Sequence, residues 1–127
     1  MDIRTLVDLD RFTMDEINSW IDLACAIEKG RHRIDGALDG KILCPIFAQE
    51  SSRNYMNAVT SFLRMGGNVL PLNYLNTRFG SKWNEPTQDF ACLINSCCDH
   101  VIFRDSATDA VRDLAAHIRL PFINAGN

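Results

Sequence analysis

The chain has 127 residues, of which 46% are hydrophobic and 23% charged, the proportions of an ordinary globular domain, which excludes disordered and fibrous classes. Thirteen Lys plus Arg against sixteen Asp plus Glu leave a net charge of −3, with no basic run of the kind that tracks a phosphate backbone, so nucleic acid is excluded as a partner. No run of about 18 apolar residues occurs, and Met1-Asp2-Ile3-Arg4-Thr5 does not open a basic-then-apolar leader, so the expectation is one cytoplasmic domain, residues 1–127, with no membrane partner.

Asp8-Leu9-Asp10-Arg11 reads as a solvated lead-in to the first helix. Thr13 and Glu16 make a capping box, and Ile17, Trp20, Ile21, Ala24 and Ile27 recur at helical spacing, which predicts a helix over 14–28. The polar, glycine-punctuated stretch 30–40 is a loop. It delivers the chain to Lys41-Ile42-Leu43-Cys44-Pro45-Ile46-Phe47, a continuous apolar run suited to a parallel strand covered on both faces, with Pro45 unable to donate to a ladder. Tyr55, Met56, Val59, Phe62 and Leu63 line one face of a helix over 52–65, which Gly66-Gly67 stops. Asn68 to Leu72 is a short strand. The polar stretch 73–86, with Tyr74, Phe79 and Trp83, is too long for a mere connector and is a candidate functional loop. Pro86 opens a helix with Phe90, Leu93, Ile94 and Cys97 as its stripe, and His100-Val101-Ile102-Phe103-Arg104 is the next strand. Ser106 or Thr108 caps a last helix carrying Ala110, Val111, Leu114, Ala115 and Ile118, and Pro121-Phe122-Ile123-Asn124 is the closing strand.

Helices of ten to fifteen residues alternating with strands imply right-handed crossovers and an α/β fold: a parallel sheet of about four strands flanked by helices, in three layers. Ligands of such sheets bind beyond the carboxyl ends of the strands, which directs attention to residues 49–54, 73–85, 104–106 and 124–127. Among them Gln49-Glu50-Ser51-Ser52-Arg53-Asn54 runs from a strand end into a helix N-terminus, where free N–H groups, the helix dipole, hydroxyls and a forked guanidinium suit an oxyanion. Arg104 ends a strand on the same rim and is placed to join Arg53 on one anion; the plainer alternative is a surface Arg paired with Asp105. Five Cys without paired C-x-x-C spacing read as reduced, mostly buried thiols, with no metal site. His32, His100 and His117 have no ligand spacing or carboxylate partner in the sequence and read as solvated or locally hydrogen-bonded.

These motifs resemble the carbamoyl-phosphate-binding, amino-terminal domain of the aspartate and ornithine carbamoyltransferase family. The similarity covers nearly the whole chain: Ser51-Ser52-Arg53-Asn54 stands at the family's Ser-x-Arg-Thr signature, Arg64-Met65-Gly66 at its Arg-(x)-Gly turn, and Arg104 at the end of its third strand. Pro121-Phe122-Ile123-Asn124-Ala125-Gly126 is similar to the aspartate branch, whereas Glu85-Pro86 followed by Asp89 is similar to the ornithine branch.

The resemblance implies that Ser51, Ser52, Arg53 and Asn54 hold the phosphate of carbamoyl phosphate and that Arg104 reaches its carbonyl and phosphate oxygens, with no cofactor. It also implies a homo-oligomer, a trimer, in which loop residues Ser81 and Lys82 reach a neighbouring subunit's site. Three departures weaken this cradle: Asn54 replaces a Thr, Tyr55 replaces a second Arg, and Trp83 occupies the family's lysine position, one place after Lys82. The family's His-Pro-x-Gln segment and amino-acid-binding second domain are not in these 127 residues. The expected function is therefore a carbamoyl-phosphate or phosphate-binding half domain, weak in affinity and not competent in transfer alone. The alternative is the amino-terminal half of a split or truncated carbamoyltransferase completed by a partner chain.

Overall fold

In the computed structural model, residues 5–73 and 85–126 are described. Their elements follow in the order β1 (Thr5–Leu6), α1 (Met14–Glu28), β2 (Ile42–Phe47), α2 (Ser52–Arg64), β3 (Asn68–Val69), α3 (Thr87–Cys97), β4 (His100–Arg104), α4 (Thr108–His117) and β5 (Phe122–Asn124). One parallel sheet runs β1-β5-β4-β2-β3. It has five strands rather than about four. The extra one, β1, is two residues long and pairs Thr5 with Phe122 and Leu6 with Ile123, too short for a periodicity to announce it.

Strand order and handedness assign the helices to layers. The steps β1 to β2 and β2 to β3 move one way along the sheet and the next two steps move back, so right-handed crossovers put α1 and α2 on one face and α3 and α4 on the other. The two faces are unequal. Cys44 and Ile46 of β2, Val101 and Phe103 of β4, and Phe122 of β5 form the core with Phe90, Ala91 and Ile94 of α3, Val111 and Leu114 of α4 and Ile118 at its C-cap. On the opposite face Phe62 is the buried residue of α2, α1 buries none, and Ile123 of β5 stays 46% exposed.

The predicted stripe of α4 is the observed one, with Val111, Leu114 and Ile118 buried and Ala110 and Ala115 half-buried. Elsewhere the stripe is displaced. In α3 Ala91 takes the place of Leu93 and Cys97, which are exposed; in α2 Tyr55, Met56 and Leu63 are exposed; in α1 Ile21 and Ala24 are exposed. Each of these helices carries two adjacent apolar rows, and the helix's rotation on the sheet selects between them.

Local capping follows the sequence closely at two ends. Thr13 Oγ1 accepts from Glu16 N–H at 3.3 Å while the Glu16 carboxylate accepts from Thr13 N–H at 2.8 Å, completing the capping box. Thr13→Ala should cost about 1 kcal/mol, read as a lowered urea midpoint with unchanged slope. At the end of α2, Gly67 N–H bonds Phe62 C=O and Gly66 N–H bonds Leu63 C=O, with Gly66 at φ +87°, a Schellman closure. The start of α4 differs from expectation. Its N-cap is Ala107, and no side chain caps the helix; the Asp105 carboxylate accepts from Ala107 N–H at 3.0 Å, a local turn that leads the chain into α4.

Pro45 explains why β3 is so short. Leu70 N–H reaches Leu43 C=O, but the next rung needs an N–H from residue 45, which proline lacks; Leu72 N–H takes the Leu70 carbonyl instead and the strand ends at Val69. The lead-in around Asp8 is also more structured than expected: Leu9–Arg11 is a 3-10 turn, and Asp8 pairs with Arg112 of α4 at 3.4 Å.

The thiols divide. Cys44 and Cys98 are buried, whereas Cys25, Cys92 and Cys97 are exposed, contrary to the expectation of mostly buried thiols. Burial, with Cys98 beside it, pushes the Cys44 thiol up to about 12. A thiol reagent should label Cys25, Cys92 and Cys97 in the native chain and reach Cys44 and Cys98 only after denaturation, as mass spectrometry of labelled peptides will show.

Candidate functional site

The site begins where β2 and β4 end side by side. Ala48 N–H bonds Arg104 C=O at 2.9 Å, which holds the turn after β2 against the end of β4. From there the chain enters α2 through Ser51, whose backbone is extended (φ −160°, ψ 92°) and whose side chain makes no capping bond. The first helical bond runs from Tyr55 N–H to Ser51 C=O, so the N–H groups of Ser52, Arg53 and Asn54 precede any helical acceptor. Uncapped N–H groups at the positive end of a helix dipole attract an anion.

Ser51 and Ser52 line a cavity of about 420 Å³ together with Phe47, Glu50, Tyr55 and Met56. Phe47 and Tyr55 meet edge to face in its wall, ring centroids 5.3 Å apart. Among the described residues of that wall none is a cation, and the Glu50 carboxylate opposes an anion. Arg53 is exposed on the first turn of α2 and does not line this cavity.

Arg104 and Asn54 come together at a single acceptor. Arg104 Nη1 and Asn54 Nδ2 each donate to the Ala125 carbonyl at 2.8 Å, tying the end of β4 and the first turn of α2 to the segment just after β5. This replaces the surface pairing of Arg104 with Asp105. Among the described residues the guanidinium is held at one corner, and its buried Nε has no hydrogen-bond partner. Gly126, at φ +108°, lies against it so closely that a Cβ there would run into Arg104 Nη1. Asn124 completes the rim by donating to Val7 C=O at 3.0 Å and accepting from Gly126 N–H at 2.9 Å. Sequence reasoning missed the Ala125 carbonyl, because a backbone acceptor has no signature in side-chain order. Ser81 and Lys82 lie outside the described residues, as do Tyr74, Phe79 and Trp83.

The histidines stand apart from this rim. His32 is exposed; His117 has a carboxylate partner that its i, i+4 spacing from Asp113 announces, at 3.9 Å. His100 is half-buried: its Nδ1 is buried and has no hydrogen-bond partner among the described residues, and its ring packs edge to face on Phe62. Burial lowers the His100 imidazole below its ordinary 6.5, helped by Lys41 and opposed by Asp99. Below that pH the unfolded chain takes up a proton that the folded chain resists, so stability should fall as pH drops through 6.5 toward the lowered folded value. Urea midpoints at acidic and neutral pH check this, and His100→Gln should flatten that part of the profile.

Residues 4–127 match the aspartate/ornithine carbamoyltransferase, carbamoyl-P binding domain. The chain belongs to this family. It is 28% identical over 122 residues to the aspartate carbamoyltransferase catalytic subunit of Alkaliphilus oremlandii, covering 96% of this chain and 37% of that protein. It is 32% identical over 111 residues to the ornithine carbamoyltransferase of Parasynechococcus marenigrum, covering 87% of this chain and 34% of that one. Its fold is that of the Trypanosoma cruzi aspartate transcarbamoylase solved in complex with carbamoyl phosphate, at a TM-score of 0.86 and 24% identity, over 98% of this chain and 41% of that one. The Thermus thermophilus ornithine carbamoyltransferase structure superposes equally well, at a TM-score of 0.86 and 25% identity over 97% of this chain and 42% of that one. The chain thus spans about two fifths of the carbamoyltransferases it matches. Among the described residues no helix is long and apolar enough to cross a membrane.

Proposed function

We propose that this carbamoyltransferase-family domain binds carbamoyl phosphate, or phosphate itself, at the first turn of α2. The observation that carries the reading is the meeting of Arg104 and Asn54 on one carbonyl beside a helix N-terminus that has no side-chain cap. In this reading the Ser51 and Ser52 hydroxyls and the N–H groups of Ser52, Arg53 and Asn54 receive the phosphate, Arg53 swings its guanidinium onto two of its oxygens, and Arg104 approaches from the β4 side. Affinity is low, because Tyr55 stands where the family's second Arg would be and Glu50 lines the adjoining cavity.

The chain spans 37% and 34% of two carbamoyltransferases it matches, and the family resemblance assigns the amino-acid acceptor to the part it does not span. Carbamoyl transfer therefore requires that part, supplied by more of the same polypeptide or by a complementing chain, and this domain alone is not competent in transfer. Self-association as a trimer, with Ser81 and Lys82 offered to a neighbour, and a cytoplasmic location complete the reading.

Isothermal titration with carbamoyl phosphate and with phosphate tests it. The expected dissociation constants are about millimolar, roughly −4 kcal/mol. No heat with either anion would overturn it, and carbamoylation of aspartate or ornithine by this chain alone would overturn the half-domain part.

A further inference from the structure

We infer that the Asn54 side chain positions Arg104, acting through the Ala125 carbonyl rather than through a side-chain contact with the anion. The inference rests on the anion-binding reading but gives the Asn54 side chain a different job. At a helix N-terminus an Asn would be expected to offer its side chain as a cap or as a ligand. Here the Nδ2 donor is turned across 71 residues of sequence to Ala125 C=O, the same acceptor that holds Arg104 Nη1. A carbonyl oxygen has two lone pairs, and these two donors occupy them.

Two consequences follow for Arg104. The carbonyl's position relative to α2 is set by Asn54, so the guanidinium is registered against the very turn whose N–H groups would receive the anion. Among the described residues the bond to Ala125 is the fork's one hydrogen bond, and the buried Nε has no partner, so the aim of the guanidinium depends on that single acceptor. Gly126 makes the arrangement sterically specific, since any side chain there would displace Nη1 from the carbonyl. An anion seated on the first turn of α2 would thus meet an Arg104 already aimed, with no ordering of a long side chain left to do.

The test separates positioning from binding. Two variants are compared with wild type: Asn54→Ala, which removes the donor, and Asn54→Asp, which replaces it with an acceptor that competes for Arg104. The first readout needs no ligand. In ¹⁵N-correlated NMR spectra the Arg104 Nε–H resonance, sheltered from solvent, should shift or broaden in both variants while the core amides of β4 and β5 hold their positions. The second readout is titration with inorganic phosphate. Asn54→Ala should weaken it about tenfold, the equivalent of losing one charge-assisted hydrogen bond's worth of alignment, and Asn54→Asp by more.

Wild-type phosphate affinity in Asn54→Ala with an unmoved Arg104 signal would overturn the inference and leave the binding reading intact. A moved Arg104 signal in a domain whose wild type shows no phosphate response would uphold positioning and overturn the binding reading. Loss of phosphate binding without any movement of Arg104 would overturn the inference in favour of direct contact by Asn54.

Discussion

Phosphate should raise the melting temperature of the wild-type domain, and Arg53→Ala should remove most of that rise. With a dissociation constant of about 1 mM, roughly 10 mM phosphate stabilises the folded state by ~1.4 kcal/mol, which for a domain of this size is about 5 °C. Arg53 supplies the one guanidinium that is exposed and free to fork onto phosphate oxygens from the first turn of α2 among the described residues. A bidentate, charge-assisted contact of this kind is worth about 1.5–3 kcal/mol, so its loss weakens binding some ten- to hundredfold and leaves a shift of about 1.5 °C at the tenfold end and about 0.2 °C at the hundredfold end. The melting temperature without phosphate should barely change, because an exposed Arg contributes little to the fold. Differential scanning calorimetry across a phosphate series reads both numbers. An Arg53→Ala domain that responds as wild type does would take Arg53 out of the site.

Phe103→Ala should cost about 3–5 kcal/mol, a large fraction of the 5–15 kcal/mol that holds a domain of this kind together. Phe103 is fully buried at the centre of the sheet, edge to face with Phe122 at 6.4 Å, and it belongs to the layer where β2, β4 and β5 meet α3 and α4. Truncating it leaves a cavity with rigid walls on every side, which collapses poorly. Ile123→Ala is the matched control. It lies on the other face of the adjacent strand and is 46% exposed, so its loss should cost under about 1 kcal/mol. Equilibrium urea unfolding measures both, and equal costs would refute the picture of a single core on the α3–α4 side.

The part of the fold legible in residue order is the part written in local chemistry. The capping box at Thr13 and Glu16, the two glycines after α2, and the hydrophobic strands β2 and β4 each announce themselves within a few residues, because a helix end or a strand face is built from neighbours in sequence. The same is true of the rim: Ser51 to Asn54 read as a helix entrance, and Arg104 as a strand end, before any coordinates. The family resemblance rests on such runs as well.

Tertiary structure decided what depends on distant partners. β1 exists because Thr5 and Leu6 find Phe122 and Ile123, more than a hundred residues away, and two residues carry no periodicity of their own. Which of two adjacent apolar rows α2 and α3 bury was settled by their rotation on the sheet, and the displaced row left Met56, Leu63 and Leu93 in solvent. The exposed thiols of Cys25, Cys92 and Cys97 have the same origin, since a cysteine's burial is a property of its helix face and not of its type. At the site, the sequence determined that a guanidinium and an amide would lie on one rim. That both would be spent on the Ala125 carbonyl was decided only by packing the segment after β5 between the end of β4 and the first turn of α2, because a backbone oxygen is offered by every residue and selected by geometry alone.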